Sequence, residues 1–279
     1  MPELPEVETI RRGLLKSLVG EEVAHVKVLR PDSIAHPTPA LFTKRLPGHK
    51  FVDVQRRGKY LILNLSGDAA LIVHLRMSGR LLLVKTKARP GKFLRVRIGL
   101  KSGRELHFED MRVFGRLWFK GKAEALNQAV PGLSELGVEP LEGMSGADLT
   151  KLFKNKSQAV KSALLDQRLI AGIGNIYADE SLFRARIHPQ LPAGQVSKVQ
   201  SERLAKEICA VLTRAIELRG SSLKDYTDSE GVNGNYQLDA LVYGRDGQPC
   251  RNCGSAIKRV RIVGRSSHFC PKCQVNRSG

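Results

Sequence analysis

Along the first twenty residues, apolar side chains recur every three or four positions, at Val7, Ile10, Leu14 and Leu18. That stripe predicts a helix over 5–19, with Pro5 in the first turn and Gly20 as its stop. The period then drops to two. Strands are expected at Val23–Leu29, Phe51–Val54, Tyr60–Leu65, Leu71–Leu75, Leu81–Val84, Leu94–Leu100, Glu105–Glu109 and Arg116–Lys120. These stretches are rich in β-branched residues and are punctuated by Ser66-Gly67-Asp68 and Ser102-Gly103. So many short strands in succession predict a sandwich or barrel.

The stretch 121–146 holds Pro131, Pro140 and several glycines but little strand signal, so it reads as a linker with one short helical piece at most. Beyond it the period returns to 3.6, predicting helices near 146–154, 157–166, 175–186, 196–219 and, briefly, 221–226. A loop without clear period (227–237) and a cysteine-bearing segment close the chain. No internal repeat or low-complexity tract interrupts it.

Composition sharpens this picture. The 279 residues carry 46 Lys+Arg against 27 Asp+Glu, a formal charge of +19. Length alone suggests about two domains. Hydrophobic content of 42% with 26% charged excludes wholesale disorder. No apolar run approaches the ~20 residues of a membrane span, and the acidic start is unlike a signal peptide. A soluble, intracellular chain with a preference for polyanions is expected, nucleic acid first and an anionic membrane surface second. The charge is unevenly spread: +13 over 1–120, zero over 121–237 and +6 over 238–279. This suggests separate modules cooperating on one anionic ligand, although surplus lysine on solvated faces explains the same numbers.

Three short patterns carry candidate chemistry. Cys250-x2-Cys253 and Cys270-x2-Cys273 offer four thiolates from two turns, which suits one structural Zn²⁺, with iron in a similar cage as the alternative. Ala256–Val263 between them alternates as a hairpin strand and carries Lys258, Arg259 and Arg261, with Arg265 near the turn. The remaining cysteine, Cys209, reads as a small buried apolar residue. Gly172-Ile173-Gly174-Asn175 opens a helix. Exposed amides there would suit a phosphate, though Asn is also a good N-cap and an ordinary helix start explains the motif by itself. At the N-terminus, removal of Met1 would expose the secondary amine of Pro2. An α-amine has an unperturbed pKa of about 7.7–8, so much of it is nucleophilic at neutral pH. Glu3 and Glu6 lie beside it at the positive end of a helix, placed for acid–base work, but acids enrich first helical turns in any protein.

Taken together, PELPEVETIRRGL (2–14), RRGKYL (56–61), HLRMSG (74–79), DMRVFG (110–115), GIGNIYADESLF (172–183), LVYGRDGQPC (241–250) and GRSSHFCPKCQ (264–274) resemble the formamidopyrimidine-DNA glycosylase family over nearly the whole chain. The resemblance implies an α+β fold: an N-terminal helix and β-sandwich (1–120), a linker (121–145), a helix-two-turn-helix domain with a lesion-capping loop (146–237), and a β-hairpin zinc finger (238–279). It implies a bifunctional bacterial enzyme, monomeric and cytoplasmic, that excises oxidised purines from damaged double-stranded DNA and cleaves the strand, with one structural Zn²⁺ and no membrane partner.

Carried over by motif, Pro2 is the expected nucleophile at C1′ and Glu3 the acid–base residue. Glu6 steadies their geometry, Lys59 contacts phosphate and helps elimination, and Arg265 assists δ-elimination. His74, Lys156, Asn175 and Tyr243 match DNA-backbone contacts. Met77, Arg112 and Phe114 match the residues that fill the gap left by a flipped nucleotide. On period alone, Met77 and Phe114 would be core. Two departures stand out. A histidine-bearing KHxH stretch frequent in the family is replaced by Lys92-Phe93-Leu94-Arg95, so Lys92 or Arg95 is expected to substitute. Val113 stands where a second arginine is frequent. Endonuclease VIII-type enzymes for oxidised pyrimidines are the nearest alternative, but they typically begin PEGPE. A non-catalytic zinc-finger DNA-binding protein is the alternative from another class, and it would have no need of Pro2, Glu3 and Lys59 together.

Overall fold

The stripe on the first helix is its buried face: α1 (Leu4–Leu18) buries Val7, Ile10, Leu14 and Leu18 completely. Each such side chain contributes about 1.5–3 kcal/mol relative to exposure. Gly20, at φ +91°, turns the chain out of the helix, a conformation that favours glycine. The strands follow: β1 (Val23–Val28), β2 (Ile34–His36), then α2 (Pro39–Arg45), β3 (Phe51–Arg57), β4 (Tyr60–Leu65), β5 (Ala69–His74), β6 (Gly79–Lys85), β7 (Leu94–Leu100), β8 (Arg104–Asp110) and β9 (Arg116–Lys120). The computed structural model describes residues 2–85, 91–222 and 227–275.

Two sheets form, ordered β1-β7-β8-β6 and β2-β9-β5-β4-β3. One apolar core draws on α1, α2 and both sheets, including Ile10, Phe42, Leu63, Val73, Ile98 and Phe108, so the first half is the expected sandwich. β5 lies between β4 and β9 and is buried at every position, which is why its sequence is a continuous apolar run rather than an alternation. β2 and α2 were not legible in the pattern. β2 has three residues and pairs parallel to β9, while α2 buries one side chain, Phe42.

The stretch read as a linker contains two single-turn helices, α3 (Leu126–Ala129) and α4 (Pro131–Ser134). Then come α5 (Gly146–Phe153), α6 (Val160–Leu165), α7 (Asn175–Ala185), α8 (Lys198–Glu217), α9 (Tyr236–Asp239), β10 (Lys258–Ile262) and β11 (Arg265–Phe269). Ser145 caps α5 by accepting from Asp148 N–H at 3.2 Å, and Asp148 accepts from Ser145 N–H at 2.9 Å. The chain divides into two compact units, Met1–Glu135 with Leu218–Asn235, and Leu136–Glu217 with Tyr236–Gly279. The segment 218–235, grouped from sequence with the helical part, therefore clusters with the sandwich. Leu83 N–H donates to Ser229 O at 3.0 Å. A Cβ on Gly13 would lie 2.3 Å from Ser229 Oγ, so the loop seats closely against α1 at this glycine. The helix expected near 221–226 falls mostly on residues 223–226, outside the described residues. No described helix is long and apolar enough to cross a membrane.

Candidate active site

In the first unit, the start of α1 is held by one carboxylate. Glu6 Oε2 accepts from Glu3 N–H at 2.8 Å, and Glu6 Oε1 accepts from Ser221 N–H at 2.8 Å. Glu6 thus ties the residue next to Pro2 to the base of the loop 218–235. Pro2, Glu3 and Glu6 are all buried. A Cβ on Gly220 would sit 2.8 Å from Glu6, and its φ of +80° also favours glycine. A second link runs from the same helix to the β3–β4 turn. Arg56 Nε bridges to Glu8 at 3.2 Å while its Nη1 donates to Gly58 O at 3.1 Å. Burial acts to raise the Glu8 carboxyl, but hydrogen bonds and charge from Arg11, Arg12 and Arg56 hold it below the usual range. Lys59, 7% exposed, follows Gly58 directly in that turn.

His74 ends β5 opposite Tyr60, whose ring meets it edge-on at 4.5 Å. Its Nδ1 accepts from Arg76 N–H at 3.0 Å. Burial, reinforced by the charges of Arg76 and Lys59, pulls its pKa down to about 3. The ring is therefore neutral, with its proton on Nε2 as a donor for an anionic oxygen.

Asp110, fully buried, organises the two loops beyond β5 and β8. It accepts from Ser78 Oγ, from Arg112 N–H at 3.1 Å and from Gly115 N–H at 2.7 Å. Met77 and Phe114, on those loops, are 40% and 47% exposed, the reverse of what period alone implies. The Arg112 guanidinium lies 4.9 Å over the Phe114 ring. Arg95 Nε donates to Asp110 O at 2.7 Å and so braces this loop; its guanidinium and the Lys92 ammonium both lie within 6 Å of the Phe93 ring centre.

In the second unit, Gln167 fixes the Gly172–Asn175 turn, accepting from Gly172 N–H at 2.9 Å and donating to Ile173 O at 2.8 Å. Asn175 begins α7 and donates to the Tyr243 hydroxyl at 3.4 Å. Tyr243 is placed by Glu180, which accepts from the N–H groups of Leu241, Val242 and Tyr243 at 2.8–2.9 Å. Burial pushes the Glu180 carboxyl up, against the pull of those hydrogen bonds. Lys156, half-buried, follows α5, with its carbonyl accepting from Gly194 N–H at 2.8 Å. Arg265 is exposed at the start of β11.

The four cysteines converge. Their sulfurs lie within 4.8 Å of one another, with Cys253–Cys270 at 3.4 Å and Cys250–Cys273 at 3.9 Å. A tetrahedral ion with Zn–S bonds of ~2.3 Å needs edges of about 3.8 Å, so the cage fits. Asn252 and Cys273 N–H groups point at the Cys250 and Cys270 sulfurs, each at 3.4 Å, as thiolate ligands require. Burial pushes the Cys270 thiol up, and four thiolates need a cation among them.

Three family descriptions match in order: the formamidopyrimidine-DNA glycosylase N-terminal domain over residues 1–117, its H2TH domain over 136–227, and the zinc finger found in FPG and IleRS over 247–275. A protein of Gloeobacter violaceus called formamidopyrimidine-DNA glycosylase is 53% identical over 277 residues, 98% of each chain. The chain belongs to the formamidopyrimidine-DNA glycosylase family. The architecture agrees with solved members. A Lactococcus lactis FPG variant in complex with Fapy-dG-containing DNA superposes with a TM-score of 0.91 at 34% identity, covering 99% of this chain and 100% of that one. The wild-type Lactococcus lactis FPG with oxidised-pyrimidine DNA gives 0.89 at 33%, with the same coverage. As in the family description, one zinc ion belongs to the four-cysteine cage of the finger.

What this glycosylase sequence did not announce is its supporting set: Arg56, Asp110, Lys161, Asp179 and Glu180. The available signal was two adjacent acids, Asp179 and Glu180, on a helix whose other buried residues include Tyr177, Ala178, Leu182 and Phe183.

Proposed function

We propose that this protein is a monomeric, cytoplasmic DNA glycosylase and AP lyase that removes 8-oxoguanine and formamidopyrimidines from duplex DNA. Removal of Met1 turns the Pro2 nitrogen from an amide into a secondary amine. It bonds to C1′ of the flipped nucleotide as the glycosidic bond breaks; Glu3 gives a proton to the departing base and regains one from the Pro2 nitrogen. Glu3 supplies the proton that O4′ takes as the sugar ring opens, leaving a C1′ iminium on Pro2. That cation needs no proton and withdraws electrons. A proton leaves C2′ as the C3′–O bond breaks, then one leaves C4′ as the C5′–O bond breaks. Lys59 and Arg265 offset the charge on the departing phosphates. Met77, Arg112 and Phe114 occupy the vacated stack, offsetting part of the few kcal/mol that flipping costs. His74, Lys156, Asn175 and Tyr243 hold the backbone. The zinc ion fixes the fold of the finger. Functionally the chain divides into four parts, at 1–120, 121–145, 146–237 and 238–279.

The observation that carries this reading is the double grip of Glu6, which holds the Glu3 backbone and the loop base in fixed places beside Pro2. The test is Glu3→Gln with an 8-oxoguanine:cytosine duplex and, separately, a preformed abasic duplex. Base release is expected to fall at least about a hundredfold while strand cleavage at the abasic site survives. Preference of the wild type for thymine glycol over 8-oxoguanine would move the reading to the pyrimidine branch. Binding without any base release would leave a zinc-finger DNA-binding protein.

A further inference from the structure

The hairpin that carries Arg265 is short. β10 and β11 pair over five residues, and a two-stranded ribbon of this size is marginal by itself. Two side chains on the helices beneath it bond directly to its residues. Lys161 on α6 and Asp179 on α7 form an ion pair at 2.7 Å with both side chains fully buried. Lys161 Nζ also donates to Ser266 O at 2.6 Å. Asp179 accepts from Ser267 Oγ at 3.0 Å and from His268 N–H at 2.8 Å, and its second oxygen lies 3.3 Å from His268 Nδ1. The pair therefore grips three consecutive residues, and they are the three that follow Arg265.

A buried ion pair is a poor device for stability alone. Apolar side chains of the same volume commonly pack as well or better, because two charges need not be taken out of water. What an apolar pair lacks is the ability to fix a carbonyl, a hydroxyl and an N–H at set points in space. We infer that Lys161 and Asp179 are positioning residues for Arg265: they set where its guanidinium stands and thereby support the second elimination, at C5′, rather than base excision. The inference rests on the role proposed above for Arg265. It leaves Pro2 and Glu3, which release the base, untouched.

The test uses zinc-loaded enzyme in excess over an 8-oxoguanine:cytosine duplex in single turnover, reading base release, the ratio of δ to β product, zinc content and Tm. Arg265→Ala is the reference and is expected to lower the δ:β ratio. The variant carrying Lys161→Met and Asp179→Leu together is expected to keep one zinc and a Tm within about 3 °C. Base release should stay within about twofold while the δ:β ratio falls about tenfold. Adding Arg265→Ala to that variant should lower the ratio no further, since both act through one group. Should the double replacement fail to fold, Ser267→Ala, which removes one contact of Asp179 and leaves the ion pair whole, is expected to lower the ratio about threefold. A wild-type ratio in a folded, zinc-loaded variant, or an effect that multiplies with that of Arg265→Ala, overturns the inference and leaves the function standing. An unchanged ratio in Arg265→Ala itself overturns the role of Arg265 on which the inference rests.

Discussion

His74, proposed above as a backbone contact, shows how one residue is tuned by what surrounds it. Burial and two neighbouring cations keep the ring neutral down to about pH 3, and the hydrogen bond from Arg76 N–H assigns the proton to Nε2. A phosphate would thus meet a neutral donor whose strength does not change across physiological pH. The same arrangement has a stability consequence with a definite sign. The unfolded chain binds a proton at this ring below its ordinary value of 6.5, while the folded chain does not until about 3. Stability is therefore present above about pH 6.5 and is lost as pH falls, by up to about 1.4 kcal/mol per pH unit from this group. Urea unfolding of wild type and His74→Gln between pH 7 and 4 should show a shallower acid limb for the variant. Parallel limbs would mean that His74 is not held neutral. At the same scale, Met77 and Phe114 show where local reading fails: their exposure is set by Asp110, which spends its acceptors on Ser78, Arg112 and Gly115 and so holds both loops outward.

Element by element, legibility followed the strength of the pattern. α1, β4, β7 and β9 have a clear period over five or more residues, and their bounds follow from it. β2 and α2 escaped because each buries too little to leave a stripe, and β2 exists only through its pairing with β9. The candidate site divides likewise. The cysteines announce themselves by spacing, whereas Lys161 reveals nothing until α6 is packed against the finger, and Asp179 and Glu180 leave only the faint mark of two adjacent acids on α7, since a buried charge looks like a surface charge in sequence. The core that the finger shares with α7 is small: Phe183 from the helix with Val242, Cys250, Ile257 and Cys270, and a few partly buried neighbours. Such a module needs its metal to fold. Cys253→Ala, or stripping of the metal with a chelator, is expected to weaken binding to a lesion duplex at least about tenfold, while far-UV signal from the sandwich persists. Undiminished binding by verified metal-free protein would contradict the structural role given to zinc.

For the whole molecule, the charge of +19 supplies attraction, but few of those cations are among the contacts proposed above. Of the backbone residues proposed, Lys59, Lys156 and Arg265 are charged, and His74, Asn175 and Tyr243 are neutral. Counterion release then predicts a slope of log K against log salt nearer to about −3 than to anything scaling with net charge. Lys156→Ala should weaken binding and reduce the slope by about one, whereas Asn175→Ala should weaken binding with the slope unchanged. Equal slope changes for both would show that the grip of the helical unit is purely ionic.

The central claim is that the amine of Pro2 does the chemistry, and borohydride trapping tests it most directly. The protein is incubated with an 8-oxoguanine:cytosine duplex and borohydride, digested, and the adduct located by mass. A covalent complex anchored on Pro2, with Met1 removed, is the predicted result. No trapped complex, or one anchored on a lysine with Pro2 free, would contradict it.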